Sequence, residues 1–197
     1  MTESAQGEST REESGLSQAR LLAAMAGGDR AALADLYDSL SRPLYSLAIR
    51  ITNDADEAQD IVQDVFLQMW RKASTYDTAV GTVFAWAATL TRNRAIDCIR
   101  RRKRRAELLA ASGPDLQPSA MGHHDAADAL WVAEKAGAVR SALTQLAPDQ
   151  KAAIELAFFS GLTQQQIAAQ LKEPLGTIKA RIRRGLLKLR ESLPSRL

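Results

Sequence analysis

The residues most able to do chemistry in this chain are the cations of residues 163–190, Thr-Gln-Gln-Gln-Ile-Ala-Ala-Gln-Leu-Lys-Glu-Pro-Leu-Gly-Thr-Ile-Lys-Ala-Arg-Ile-Arg-Arg-Gly-Leu-Leu-Lys-Leu-Arg. Lys179, Arg181, Arg183, Arg184 and Lys188 recur on a segment whose apolar residues Ile178, Ile182, Leu186 and Leu189 keep a helical period. The cations fall mostly off that apolar stripe. Such a helix docks by one face and offers ammonium and guanidinium groups by the other, which suits phosphates and base edges in the major groove of duplex DNA. Upstream, Thr163 with Gln166 spells a capping box, and Ile167, Ala168 and Leu171 give a short helix one apolar face. Pro174 and Gly176 punctuate the connection. The spacing therefore predicts a helix-turn-helix. A basic helix can also be only a solvated face, but the cap, the turn and the charge agree on DNA binding.

A second cationic surface lies in the middle of the chain. Thr91, Arg92, Asn93, Arg94 and Asp97 lead into the run Arg100-Arg101-Arg102-Lys103-Arg104-Arg105. Cations neutralise phosphates without reading sequence, whereas the amide of Asn93 can both donate to and accept from a base edge. Tyr76, Phe84 and Trp86 stand just upstream, able either to stack on an unpaired base or to fill a core; core residues are the commoner outcome. Catalytic patterns are missing: there is no phosphate-cradling glycine loop, no zinc-protease motif and no paired-cysteine site. His123-His124-Asp125 is the one cluster open to a metal reading, and it sits among glycines and prolines. Neither a cofactor nor an enzymatic activity is expected. Cys98 is the single cysteine, which excludes an intrachain disulfide and favours the cytoplasm; it reads as a small apolar side chain rather than an oxidant sensor.

The elements that must position these groups are helical throughout. The chain has 197 residues, 46% of them hydrophobic and 25% charged, and a net charge of +3, so it is an ordinary soluble composition and no polycation. No apolar run approaches the roughly 18 residues of a membrane span. Residues 1–15 are Ser/Glu-rich and read as a disordered tail without a signal peptide. From Leu16 the helical period is nearly continuous: Gly27-Gly28 ends one helix and Asp29 caps the next, which carries Leu33, Leu36, Tyr37 and Leu40 and then Leu44, Leu47, Ala48 and Ile51 beyond Pro43. Asp54, with Glu57, caps a helix that buries Ala58, Ile61, Val62, Val65 and Met69 or Trp70, while Glu57, Asp60, Gln63 and Asp64 face outward. Residues 74–82 form a loop, and a long helix runs from about Val83 through the basic run. Residues 106–125, with Gly113, Pro114, Pro118 and Gly122, read as a linker. Beyond it Val132, Ala136, Val139, Leu143 and Leu146 restore the period, Pro148 opens a helix lined by Ile154, Ala157 and Phe158, and Gly161 closes it. The fold class is all-α: two small helical domains joined by a flexible linker, residues 16–105 and 126–197, the second containing the helix-turn-helix.

Three stretches together resemble a bacterial RNA polymerase sigma factor of the extracytoplasmic-function group. Residues 56–70, Asp-Glu-Ala-Gln-Asp-Ile-Val-Gln-Asp-Val-Phe-Leu-Gln-Met-Trp, are similar to that family's polymerase-binding helix. Arg92-Asn93-Arg94-Ala95-Ile96-Asp97 with the basic run resembles its minus-ten-reading helix, and Pro174-Leu175-Gly176-Thr177-Ile178-Lys179-Ala180-Arg181 its minus-thirty-five-reading helix. The resemblance covers about residues 29–193. It implies that residues 16–105 are sigma region 2 and residues 126–197 region 4. It implies too that Asp60, Gln63 and Asp64 meet the coiled coil of the beta-prime subunit, with the beta flap a further contact of core polymerase. Asn93 would help read a flipped minus-ten base near the 74–82 loop, with Arg92, Arg94, Asp97, Arg100 and Arg101 around it. Thr177, Lys179, Arg181, Arg183 and Arg184 would meet minus-thirty-five DNA. An anti-sigma factor, often membrane-bound in such systems, would restrain the protein. The chain departs from the family in the turn, where Lys172 and Glu173 replace a glycine and an aliphatic residue; a left-handed position there costs a non-glycine residue on the order of 1 kcal/mol. A free-standing helix-turn-helix regulator is the alternative, and the acidic face at residues 57–64 argues against it. A metal enzyme using the His pair is the remote third reading.

Overall fold

The computed structural model describes residues 3–111 and 141–192, and every regular element among them is a helix. They belong to two compact units. The first comprises α1 (Glu3–Ala26), α2 (Arg30–Thr52), α3 (Ala55–Lys72), a 3₁₀ turn (Ala73–Thr75) and α4 (Val83–Ala111). In the second, a helical stretch at residues 141–144 precedes α5 (Pro148–Phe159), α6 (Gln164–Leu171) and α7 (Leu175–Ser192). Helical backbone thus begins at Glu3, inside the segment that composition reads as a tail. At the other end of the unit, α4 continues through residues 106–111, where composition places the start of a linker. The rest of that segment, with His123 and His124, and the expected stripe residues Val132, Ala136 and Val139 lie outside the described residues.

In the first unit α2 is the central element, packed on α1, α3 and α4. Its stripe Leu36, Leu40, Leu44 and Ala48 is wholly shielded from water, each leucine contributing about 1.5–3 kcal/mol by burial. The helix runs unbroken through Pro43, although a proline there removes one backbone bond and typically costs about 3 kcal/mol. Asp29 caps α2 by accepting from the amides of Ala31 (2.8 Å) and Ala32 (3.3 Å). Asn53 ends it in the left-handed conformation (φ 55°), one of the few residue types that tolerate it. Asp54 accepts from the Glu57 amide at 3.0 Å and so starts α3. α3 buries Ala58, Ile61, Val62, Val65, Phe66 and Met69, and leaves Trp70 half-buried.

In the second unit α5 and α6 both pack against α7. Pro148 is the first residue of α5, where its missing N–H loses nothing. Gly161 follows α5 with φ 61°, a conformation that glycine adopts freely. The capping box is present: Thr163 Oγ1 accepts from the Gln166 amide (3.2 Å), and Gln166 Oε1 accepts from the Thr163 amide (2.8 Å). Phe158, grouped by periodicity with the core of α5, is 40% exposed and lies edge-on to Phe159, while Ala153 is the residue buried on that helix.

Candidate nucleic-acid interface

The turn between α6 and α7 is built on the two residues that depart from the family pattern. Lys172 adopts φ 55° and ψ 40°. Its amide donates to the Ala169 carbonyl (3.3 Å), and the Glu173 amide donates to the Ala168 carbonyl (3.0 Å). These are the paired bonds of a Schellman motif, usually completed by glycine at the left-handed position. Lysine therefore fills a glycine role, and the backbone geometry is kept.

The docked face of α7 differs from the periodic expectation by one residue. Ile178 and Gly185 are its buried positions, Ile182 and Leu189 are half-buried, and Leu186 is 52% exposed beside an exposed Leu187. A β-carbon on Gly185 would lie 2.6 Å from Ile154 Cδ1, so the Ile154 side chain would have to move aside for a larger residue there. Leu186 looks like a core residue only because it is apolar; Gly185 occupies that place because it is small.

That rotation divides the predicted cations of α7. Lys179, Arg183 and Arg184 are exposed, Thr177 is half-buried, and Arg184 Nε donates to the Ala180 carbonyl one turn back (3.3 Å). Arg181 is turned inward, its side chain 19% exposed. Its Nε lies 2.8 Å from Asp149 Oδ2 at the start of α5, and its Nη2 donates to Glu173 Oε1 at 3.2 Å. Beside the exposed cations, a cavity of about 380 Å³ is lined by Gln164, Lys179, Ile182, Arg183, Leu186, Leu187 and Arg190.

The first unit carries the second cationic surface along α4. Arg94, Asp97, Arg100, Arg101 and Arg104 line one cleft of about 290 Å³, spaced so that successive turns present them on a common face. Asn93 is exposed at the upstream end of this region, and Arg92 is half-buried. Burial pulls the Arg92 guanidinium below its ordinary range, and Arg100 adds to the effect. The basic run is not uniform. Arg102 donates to the Thr52 carbonyl at the end of α2 (3.0 Å) and lies 3.3 Å from Glu57 Oε2. Glu57 thereby spends its carboxylate on Arg102 rather than on its own helix cap. Lys103 pairs with Glu107 one turn along (3.9 Å).

Asp60, Gln63 and Asp64 share an exposed face of α3 (i, i+3, i+4), opposite the buried one. Arg94 of α4 reaches this face, with Nη1 3.6 Å from Asp64 Oδ2 and Nη2 3.2 Å from Gln68 Oε1. The aromatic residues near the 74–82 loop partner one another. Tyr76 and Trp86 have ring centroids 5.2 Å apart, and the Tyr76 hydroxyl donates to the Gly81 carbonyl at 2.6 Å, closing the loop on itself. Burial, with Asp77 adding, raises the Tyr76 phenol above its ordinary range. Val80 at the tip of this loop is 85% exposed. Cys98 is half-buried, and burial together with the neighbouring Glu57 pushes its thiol up, so it is a poor nucleophile at neutral pH. No cluster of potential metal ligands and no helix long and apolar enough to cross a membrane occurs among the described residues.

Residues 36–105 match the family model Sigma-70 region 2, and residues 142–191 match Sigma-70, region 4. The chain is 33% identical over 177 residues to the ECF RNA polymerase sigma factor SigK of Mycobacterium tuberculosis, spanning 88% of this chain and 91% of that one. It is 34% identical over 173 residues to SigK of Mycolicibacterium vanbaalenii, spanning 88% and 87%. Among solved structures it is similar to Rhodobacter sphaeroides SigE in complex with the anti-sigma ChrR, with 30% identity over 89% of this chain and 97% of that chain and a TM-score of 0.45.

Proposed function

Because the chain belongs to the sigma-70 family, in its extracytoplasmic-function group, we propose that it binds core RNA polymerase, carries it to specific promoters and helps to melt them. The first unit engages the beta-prime coiled coil through Asp60, Gln63 and Asp64. It holds minus-ten DNA along the α4 cleft, where Arg94, Arg100 and Arg101 meet phosphates and Asn93 reads an unpaired base. The second unit lays α7 in the major groove of the minus-thirty-five element, with Lys179, Arg183 and Arg184 leading, and offers its remaining surface to the beta flap. An anti-sigma factor holds the protein inactive until a signal releases it. The protein acts in the cytoplasm, needs no cofactor and catalyses no reaction of its own.

One observation favours this reading over a free-standing regulator. An acidic face on α3 and a cationic cleft on α4 stand side by side in the first unit, linked by Arg94 and Asp64. A duplex-binding regulator has no use for the acidic face, which repels DNA. Run-off transcription with purified core polymerase tests it: the sigma reading requires promoter-specific transcripts that depend on this chain. Duplex binding without any such transcripts would favour the regulator.

A further inference from the structure

Arg181 is the best-connected cation of α7, and it is connected to its own protein. Asp149 belongs to the first turn of α5, and while its Oδ2 takes Arg181 Nε, its Oδ1 accepts from the Gln150 amide at 2.9 Å. Glu173 is the residue after the left-handed Lys172, so its carboxylate is placed by the turn. One guanidinium thus ties together the start of α5, the turn and α7, with its Nε and one terminal nitrogen given to two different carboxylates. A planar, multiply bonded guanidinium resists rotation in a way that one ammonium pair does not. Gly185 lies one turn further along the same docked face. A one-residue turn of α7 about its axis would break both ion pairs and drive another side chain into Ile154.

We infer that Arg181 is a positioning residue for minus-thirty-five recognition: held by Asp149 and Glu173, it fixes the rotation of α7 so that Lys179, Arg183 and Arg184 meet the groove. It contributes no phosphate contact of its own. This rests on the DNA-reading role proposed above for α7, and it changes what the departure at Glu173 means. The acidic residue in the turn is the partner that keeps Arg181 off the DNA.

Salt dependence separates a positioning residue from a contact. Each phosphate contact contributes about 0.9 to the slope of log affinity against log salt. The full-length chain is titrated with two duplexes, one selected by the wild-type protein from a randomised pool and one of scrambled sequence, across a range of salt. Arg184→Ala is the reference contact variant and should lower the slope by about 0.9. Arg181→Ala should keep the wild-type slope yet lose about five- to tenfold in preference for the selected duplex, at the low end of losing one base contact. Asp149→Asn/Glu173→Gln should lose the same preference while its slope rises toward one additional contact, because Arg181 is released. A slope lowered by about 0.9 in Arg181→Ala, or an unchanged preference in either variant, overturns the inference. If Arg181→Ala loses its helical circular dichroism, the Asp149→Asn/Glu173→Gln variant decides by the same two readouts. If neither Arg184→Ala nor Lys179→Ala alters wild-type binding, the DNA-reading role of α7 fails and takes this inference with it. If they do alter it and Arg181→Ala behaves as they do, only the positioning role falls.

Discussion

Replacing Lys172 tests whether the turn of the helix-turn-helix is set by backbone geometry. Its φ of 55° is left-handed, a conformation that costs a residue with a β-carbon about 1–2 kcal/mol. Glycine avoids that cost but loses about 0.5–1 kcal/mol more conformational entropy on folding. The lysine also places a cation at the C-terminus of α6, a favourable interaction of about 0.3–1 kcal/mol with the helix dipole. Comparing Lys172→Gly with Lys172→Ala cancels that charge effect, because both lose the cation. What remains is left-handed strain less glycine entropy, about 0–1.5 kcal/mol and centred on about 0.75 kcal/mol in favour of glycine. For a unit this small, about 4–8 °C per kcal/mol puts Lys172→Gly roughly 3–6 °C above Lys172→Ala at that centre. Calorimetry of the full-length variants, following the transition of the second unit, measures the difference. Exchange of the Glu173 amide, bonded to Ala168, reports whether the turn itself is retained. Equal melting of the two variants, or a lower value for glycine, would refute the claim that a left-handed turn is what Lys172 supplies.

Asp60→Arg and Asp64→Arg should both weaken binding to core polymerase while shifting melting little, since surface changes rarely exceed about 0.5 kcal/mol and the exposed Asp64–Arg94 pair adds at most about 1 kcal/mol; unchanged affinity in a pull-down titration would remove this face from the interface. Asn93→Ala should leave duplex binding intact but reduce open-complex formation and relax selection at one minus-ten base by about 1–3 kcal/mol; normal permanganate reactivity of the melted thymines would return Asn93 to an ordinary surface residue. Burial and Glu57 disfavour the Cys98 thiolate, so at any given pH less of it is ionised than of a free thiol, and the alkylation-rate curve should be displaced to higher pH. Alkylation as fast as that of a small free thiol at pH 7 would contradict this.

Sequence legibility followed how local each cause was. Asp29, Asp54 and Thr163 announce their helices because a cap involves only residues two or three positions away. The exposed face of α3 was equally legible, since its apolar and polar residues segregate without ambiguity. The face of α7 was not. Leu186 satisfies the period, and only the approach of Ile154 from another helix explains why Gly185 is inside. For the same reason Arg181 could not be told from Lys179 or Arg183 along the chain. Its partners Asp149 and Glu173 stand on different elements, and a guanidinium carries no mark of whether it will meet a carboxylate or a phosphate. Glu57 reads as part of its own cap because the Asp54 amide is the nearest donor; Arg102, far along the sequence, takes the carboxylate instead. The basic run likewise read as one feature until folding assigned Arg102 to the end of α2 and left Arg101 and Arg104 in the cleft.

The bond from Arg102 to the last carbonyl of α2 ties α4 to its unit where the side chains of α4 turn outward. From Lys103 to Leu109 every side chain is exposed, including Leu108 at 70%, and the Lys103–Glu107 pair is worth only about 0.3–0.5 kcal/mol. An isolated helical segment exchanges with coil in about a microsecond, and an exposed helix end frays more readily than the packed part before it. Each residue that melts lengthens the chain from about 1.5 Å to about 3.3 Å. Unwinding residues 103–109 would therefore extend the reach of the first unit's end by at most roughly 13 Å. Arg102 is the fixed end of that change in length within the first unit.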